Sequence, residues 1–354
     1  MSLLTSEIAE QPAVLARLLD AQLPRLDAWR TALRRGEIDG VVVVARGSSD
    51  NAARYAQYLW SLRTGLPVAL ATPSLHTVYG GRIDVRGKAV VALSQSGASP
   101  DVVTVLAAAR DQGVPAVAIT NDPDSPLARA ATDVLDLAAG AERSVAATKT
   151  YTASVLAVAV LGVALGDPAD DAERLAELAE VPAAVAAAIE ATGGIDAAAE
   201  VLAASMRGVV VGRGLNLGTA FEAALKLTEL TGSLMAPYSP ADLLHGPVAA
   251  VGPDVPVLAV APDEPATASV LDLAREVARR GSPVVTLGPT VVPDLVATPV
   301  LLPPAARVAP WLTPLPAVVP AQLLAQRVAE TRGIDVDRPG GLTKVTRTTL
   351  SSRH

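Results

Sequence analysis

Serine hydroxyls and backbone amides are concentrated in one loop of this sequence. Residues 94–99 have the sequence Ser-Gln-Ser-Gly-Ala-Ser, follow a short apolar run and lead directly into a helical pattern. The N-terminus of a helix leaves N–H groups free, and with hydroxyls beside them it is a suitable binding site for phosphate. A helix cap would account for Ser99 but would leave the preceding polar residues without a structural role. We therefore predict that phosphate is bound by Ser94, Gln95, Ser96 and Ser99.

Three ionisable side chains recur at helical spacing later in the chain. Glu222, Lys226 and Glu229 are four and three residues apart, so on a helix they share one face. A carboxylate beside an ammonium group can move a proton and hold a developing charge. The alternative is a solvent-exposed helix face, on which such a pair adds only about 0.2–0.5 kcal/mol of stability. His245 lies in a turn flanked by proline and glycine rather than on an apolar helix face.

The elements that must position these residues occur twice along the chain. The apolar run at residues 41–44, which precedes an Arg-Gly pair, recurs at 209–211, and the run at 90–93 recurs at 257–260. In both copies a helical pattern that stops near a glycine follows, and then another apolar run. Short apolar runs that alternate with helices predict parallel strands covered on both faces. We therefore predict an α/β fold in which a doubly wound domain is duplicated.

The turn after the first predicted strand, at residues 46–50, adds the hydroxyls of Ser48 and Ser49. We expect them beside the serine loop, because the carboxyl ends of parallel strands meet at one edge of the sheet, although an isolated serine-rich turn needs no ligand. In the second copy, residues 261–264 stand at the positions of the serine loop and carry two carboxylates in place of hydroxyls. Because carboxylates repel a phosphate, the sequence predicts one phosphate site per chain.

Composition excludes several classes of protein. The 354 residues are 50% hydrophobic but only 3% aromatic, so the core must consist of alanine, valine and leucine. The absence of cysteine excludes disulfides, thiolate metal sites and a cysteine nucleophile, and histidines and carboxylates do not cluster at metal-like spacing. We therefore predict a reaction without a metal or other cofactor. A net charge of −7 without a basic cluster argues against nucleic acid as a partner.

The sequence shows no segment that is typical of export or membrane insertion. Residues 1–24 contain acidic residues and lack the basic start and apolar run of a signal peptide. The most apolar long stretch, residues 151–166, is shorter than the ~20 residues that cross a bilayer, so we predict a buried helix there. The expectation is a cytoplasmic protein without a membrane partner.

Taken in order, the motifs resemble those of the sugar isomerase (SIS) family. The serine loop after an Arg-Gly-Ser-Ser turn is joined by motifs at residues 7–12, 145–149, 222–226, 244–247 and 335–337. Over nearly the whole chain, the closer similarity is to the isomerase half of glucosamine-6-phosphate synthase. This resemblance implies two tandem SIS domains, each a doubly wound parallel sheet between helices in the three-layer arrangement of flavodoxin.

The repeat and the resemblance together predict five segments. An N-terminal helical segment comes first and a C-terminal tail over the active site comes last, with two SIS domains and a helical linker between them. The first domain carries the phosphate-binding loop and the second carries the catalytic residues. The predicted bounds, in chain order, are residues 1–30, 31–166, 167–195, 196–335 and 336–354.

The resemblance also implies roles for individual residues. Glu229 matches the carboxylate that moves a proton between C1 and C2 of an open-chain phosphosugar, with Glu222 and Lys226 as its supporting neighbours. His245 matches a residue that opens the sugar ring and is contributed to the partner subunit's site, which predicts a homodimer. Val145 and Ala146 match residues around the sugar. Lys344 matches a tail lysine that closes over the sugar.

Two departures from the synthase pattern bear on the reaction. In the synthase, a glutamine-hydrolysing domain with a cysteine nucleophile precedes this region, whereas this sequence starts at the isomerase half. Residues 341–346 are more similar to the tail of stand-alone glucosamine-6-phosphate deaminases of the SIS type. The expectation is therefore deamination of glucosamine 6-phosphate to fructose 6-phosphate and ammonia.

Two alternatives stay open at this point. Aldose–ketose isomerisation or deglycation of a related phosphosugar would use much the same residues. A regulatory module that only binds a sugar phosphate would need the serine loop but would have no use for Glu229, His245 and Lys344, and no DNA-binding domain is appended.

Overall fold

The structure is a computed structural model that describes residues 2–34, 36–191 and 193–340. Within these ranges the strands form two five-stranded sheets, and every strand pair is parallel. The predicted α/β fold of two parallel sheets is confirmed. The strands of the first sheet are Gly40–Val44 (β1), Val68–Leu70 (β2), Lys88–Leu93 (β3), Ala116–Thr120 (β4) and Asp133–Asp136 (β5). Those of the second are Arg207–Val211 (β6), Leu234–Tyr238 (β7), Val257–Val260 (β8), Val284–Gly288 (β9) and Thr298–Leu301 (β10).

The order of the strands shows the duplication. The first sheet has the order β2-β1-β3-β4-β5, and the second has the order β10-β9-β8-β6-β7, which is the same order read from the other edge. This is the flavodoxin-like order, in which the chain reverses direction across the sheet beside its first strand. In the first sheet that crevice lies between β1 and β3, and in the second it lies between β6 and β8.

Helices connect the strands and cover the sheets. Valine and alanine fill the strands, and residues such as Val90 and Val91 are fully buried, as expected for strands covered on both faces. Among the described residues the helices are Leu3–Ala9 (α1), Gln11–Gln22 (α2), Leu26–Leu33 (α3), Ser48–Thr64 (α4), Ser74–Thr77 (α5), Pro100–Arg110 (α6), Pro126–Ala130 (α7), Lys149–Leu165 (α8), Asp171–Glu190 (α9), Ile195–Ala203 (α10), Leu217–Thr231 (α11), Pro240–Leu244 (α12), Thr267–Arg279 (α13) and Pro314–Thr331 (α14).

The chain divides into two compact units. Residues 14–142 and 150–179 belong with the first sheet. The described residues 2–13, 143–149 and those from 180 onward belong with the second sheet, so each unit collects segments that are distant in sequence. The contiguous boundaries proposed from the sequence stay a prediction.

The apolar stretch at residues 151–166 forms a buried helix, as predicted. It corresponds to α8, and the indole N–H of Trp60 donates to the carbonyl of Val158 in that helix at 2.9 Å. No single helix in the described part of the chain is long and apolar enough to cross a membrane. Helix α8 and the helical segment after it are long and apolar enough only when they are counted together, and the chain bends by 119° between them.

The last helix begins earlier than predicted. The sequence predicts a helix from about residue 321, after a proline-dense segment, whereas α14 begins at Pro314 and includes Pro320. Pro314 and Pro316 fall in the first turn, where backbone N–H groups have no partner within the helix and proline is tolerated. The helix is almost completely buried and packs against α10 and α11. It therefore covers the helix that carries the predicted catalytic residues.

Candidate functional site

The serine loop joins β3 to α6 and is anchored by its backbone. The carbonyl of Gln95 accepts the N–H of Asn121 at 3.1 Å, and the carbonyl of Gly97 accepts the N–H of Leu127 at 3.0 Å. Both donors follow the neighbouring strand β4. The loop is therefore held against the next strand-to-helix connection of the same unit.

Helix α6 presents unused donors at this loop. Its first helical hydrogen bond runs from the N–H of Val103 to the carbonyl of Ser99, at 3.0 Å, so the N–H groups of Asp101 and Val102 precede that bond. Ser99 occupies the N-cap position, but its side chain makes no capping hydrogen bond. The hydroxyl of Ser94 likewise has no hydrogen-bond partner among the described residues. Capping therefore does not explain Ser94 or Ser99, and the hydroxyls of both are available to an anion.

Gly97 is the one position of the loop where only glycine fits. Its φ of 57° lies in the left-handed region. A Cβ atom built there would lie 2.1 Å from Oγ and 2.3 Å from Cβ of Ser125, a buried residue whose hydroxyl accepts the N–H of Ala128. Because the Ser125 hydroxyl caps α7, moving this side chain would break that hydrogen bond. The backbone of the serine loop is therefore packed directly on the start of α7.

The predicted second group of hydroxyls lies at the neighbouring strand end. Ser48 and Ser49 are the first two residues of α4, and Gly47 precedes them with a φ of 58°. Because β1 pairs directly with β3, the N-termini of α4 and α6 both adjoin the crevice at which the strand order reverses. The structure therefore brings the predicted phosphate-binding positions of the first half to one edge of one sheet.

A cation that carried no predicted role links the two loops. Nη2 of Arg46, in the turn after β1, lies 2.7 Å from Oδ2 of Asp101 in the first turn of α6. The Arg46 side chain is half exposed, so its other N–H groups remain open to solvent at this edge. Burial raises the pKa of Asp50 in the same turn, and the positive charges of Arg54 and Arg46 offset part of this effect. The sequence feature that could have identified Arg46 is the Arg-Gly pair that follows the first strand of each half.

In the second half, the equivalent crevice is filled by the chain itself. Oε1 of Glu264 accepts a hydrogen bond from Nδ2 of the buried Asn216 at 3.2 Å, and the same Nδ2 donates to Thr313 at 2.9 Å. Burial raises the pKa of the Glu264 carboxyl, and hydrogen bonds from Asn216 and from the N–H of Ala266 partly offset this rise. A carboxylate of the protein thus occupies the position that the serines leave open in the first half.

The three ionisable side chains of α11 form a buried array. The side chains of Glu222 and Lys226 are 0% and 1% exposed, and that of Glu229 is 26% exposed. Nζ of Lys226 lies 3.4 Å from Oε1 of Glu222 and donates a hydrogen bond to Oε2 of Glu229. The predicted common helix face is confirmed, and the alternative of a solvent-exposed face is wrong. One ammonium group therefore joins a fully buried carboxylate to one that reaches solvent.

The match to known proteins agrees with this geometry. A SIS domain model matches residues 38–164 and 201–289, which include both crevices and the array on α11. The chain belongs to the SIS domain family. A glutamine–fructose-6-phosphate aminotransferase (isomerizing) from Thermus thermophilus is 33% identical over 350 residues, which is 96% of this chain and 57% of that relative. The SIS protein described here thus spans little more than half the length of this curated relative.

Two solved structures resemble the SIS chain along nearly its whole length. A protein from Silicibacter pomeroyi DSS-3, assigned as a phosphosugar isomerase, is 34% identical with a TM-score of 0.85, over 95% of this chain and 100% of that one. The C-terminal domain of glucosamine-fructose-6-phosphate aminotransferase from Francisella tularensis is 25% identical with a TM-score of 0.84, over 95% and 98%. The similarity to the isomerase part of that synthase is therefore confirmed.

Those remaining predicted site residues of the SIS chain that the structure describes lie outside the helices and strands. His245 directly follows α12, is exposed, and its ring has no hydrogen-bond partner among the described residues. Val145 is half buried and Ala146 is fully buried in the segment between β5 and α8. Lys344 lies outside the described residues. Within the described ranges, no three histidine or acidic side chains are grouped as metal ligands would be, and a reaction without a metal stays a prediction.

Proposed function

We propose that this SIS protein is a phosphosugar enzyme that deaminates glucosamine 6-phosphate to fructose 6-phosphate and ammonia. The observation that carries the proposal is the Glu222–Lys226–Glu229 array on α11, in which a buried ion pair is joined to a carboxylate that reaches solvent. A protein that only binds a sugar phosphate has no need for a buried carboxylate and ammonium group joined to a partly exposed carboxylate. Such a group is costly to bury unless its charges are paired, as they are here.

In the proposed reaction, the serine loop holds the phosphate and Glu229 moves the proton. After ring opening, the Glu229 carboxylate removes the proton from C2 of the aldehyde while O1 takes up a proton, which gives an enolamine. Glu229 then returns a proton to C1, and the amino nitrogen loses a proton, which leaves an imine at C2. Water then hydrolyses the imine, and the products are the ketose phosphate and ammonia. Lys226 fixes the position of the Glu229 carboxylate, and Glu222 balances the charge of Lys226.

The aminotransferase similarity supports an amino sugar as the substrate. The relatives from Thermus thermophilus and Francisella tularensis are named for an amino group and fructose 6-phosphate. The 354 residues contain no cysteine, so they cannot supply a thiol nucleophile for glutamine hydrolysis. With water in place of an amino donor, the same C1/C2 chemistry releases ammonia.

Aldose–ketose isomerisation is the second candidate, because the Silicibacter pomeroyi relative is assigned as a phosphosugar isomerase. The test is to incubate the pure protein with glucosamine 6-phosphate and to measure ammonia and fructose 6-phosphate together. Deamination predicts equal amounts of both. With other aldose phosphates as substrates, a ketose formed without ammonia would favour the isomerase, and binding without any turnover would contradict both candidates.

We further propose that the protein works in the cytoplasm as a homodimer, with His245 of the partner subunit completing each site. The exposed ring of His245, which has no hydrogen-bond partner among the described residues, supports this arrangement.

Mixing two inactive variants tests the exchange of His245. In a heterodimer of Glu229→Gln and His245→Gln subunits, one of the two sites receives an intact Glu229 and an intact His245. After the chains are mixed and refolded together, we expect recovery of about a quarter of the wild-type activity. Each variant refolded alone is the control. A mixture that stays as inactive as the separate variants would contradict a shared site.

A further inference from the structure

Helix α1 and Glu10, which directly follows it, hold the irregular segment at residues 143–148 and the first residue of α8 after it. The side chain of Glu7 is buried, with 4% of the residue exposed, and its two carboxylate oxygens accept the N–H groups of Arg143 and, at 3.1 Å, of Ser144. One helical turn later, Glu10 accepts a hydrogen bond from Nζ of the buried Lys149 at 2.6 Å. All of these residues belong to the unit of the second sheet.

The hydrogen bonds accepted by Glu7 fix the backbone of the segment directly before the residues that we expect to contact the sugar. Residues 143–148 form neither helix nor strand, so their backbone groups depend on partners from elsewhere in the chain. A carboxylate that accepts two successive N–H groups fixes the direction of the chain at that point. The next two residues are Val145 and Ala146, which the family resemblance places at the sugar.

Attachment of α1 to the protein does not explain the acidic group. The N-terminus of the helix is already held by Asp337, whose carboxylate accepts the N–H groups of Leu3 at 2.9 Å and of Leu4 at 3.2 Å. A buried carboxylate is costly, and an apolar residue would pack α1 equally well at that place. Only a side chain with two acceptor oxygens can bind both N–H groups of the segment, one with each oxygen.

We propose that Glu7 is a positioning residue for the sugar-binding segment, acting through the backbone of Arg143 and Ser144. The role rests on the proposed function, because it assumes that Val145 and Ala146 contact the sugar. Glu7 itself does not touch the substrate. It determines how well the protein distinguishes a sugar phosphate from inorganic phosphate, which needs only the serine loop.

The variant Glu7→Gln tests this role, and Ser2→Ala is the control on the same helix. Glutamine keeps one oxygen but turns an NH₂ group toward the second backbone N–H, so that one hydrogen bond is lost. We expect the Kd for glucosamine 6-phosphate to rise about tenfold, while the Kd for inorganic phosphate is unchanged. Ser2→Ala removes the hydrogen bond that the Ser2 hydroxyl accepts from the N–H of Thr5 at 3.1 Å, and we expect both dissociation constants to stay at the wild-type values.

Amide hydrogen exchange and thermal melting separate positioning from a loss of stability. Exchange should become faster at residues 143–149 in Glu7→Gln but not in Ser2→Ala, at comparable melting temperatures. Unchanged exchange in Glu7→Gln, or a tenfold weaker sugar affinity in Ser2→Ala, would overturn the role of Glu7. A wild-type protein that binds glucosamine 6-phosphate without releasing ammonia would instead overturn the proposed function.

Discussion

Replacing Glu229 by glutamine should lower turnover of glucosamine 6-phosphate by ~10²–10⁴-fold, because a positioned proton-transfer group typically contributes that much to the rate. Glutamine has the size of the original side chain and can still accept a hydrogen bond from Lys226, but it cannot take a proton from C2. Phosphate binding should stay close to the wild-type value, because the serine loop is unchanged. The measurement is kcat and KM for the sugar phosphate, with the inhibition constant of inorganic phosphate beside them.

Glu200→Gln provides the control for this variant. Glu200 lies on α10 in the same unit and is exposed, and its side chain has no role in the array. We expect wild-type kinetics from it. If Glu229→Gln kept more than about a tenth of the wild-type kcat, the loss would be too small for a general base and another group would have to move the proton.

The substitution Gly97→Ala should strongly weaken phosphate binding. The methyl group would have to enter the space of Ser125, 2.1 Å from its hydroxyl, and the backbone would have to leave a φ of 57° that alanine disfavours. The loop must then move away from α7, and its hydroxyls and N–H groups no longer converge. We expect phosphate affinity to fall by about tenfold or more, because several hydrogen bonds to one anion are lost together.

Gly113→Ala separates the two causes. Gly113 follows α6 with a φ of 77°, but a Cβ atom there would meet nothing within 4 Å. This variant carries the backbone strain without the collision, so it should lose some stability and keep its phosphate affinity. Calorimetric titration with inorganic phosphate measures the affinities. Equal affinities for both variants would show that the contact with Ser125 does not shape the loop.

Much of the fold and one part of the site could be predicted because their signals are local. Apolar runs mark three strands of each sheet, β1, β3 and β4 in the first and β6, β8 and β9 in the second, and the repeat relates the two halves. The serine loop and the face shared by Glu222, Lys226 and Glu229 depend only on neighbours within a few residues in sequence.

The remaining features depend on contacts between distant residues, which leave no local pattern. Glu7 binds a segment more than a hundred residues away, and the ion pair of Arg46 with Asp101 joins the turn after β1 to the first turn of α6. Glu264 is a carboxylate near a strand end in the sequence, and only the structure shows that it fills the second crevice. The start of α14 was predicted too late, because the prolines of its first turn are typical of loops as well.

Glucosamine 6-phosphate deuterated at C2 tests directly whether Glu229 removes the proton from C2 of the open-chain phosphosugar. Loss of the label is followed by nuclear magnetic resonance. We expect the wild-type protein to remove the label at the rate of ammonia release, with deuterium recovered at C1 of fructose 6-phosphate or in water. We expect Glu229→Gln to remove almost none. Loss of the label from C2 at the wild-type rate in Glu229→Gln would show that another group takes the proton.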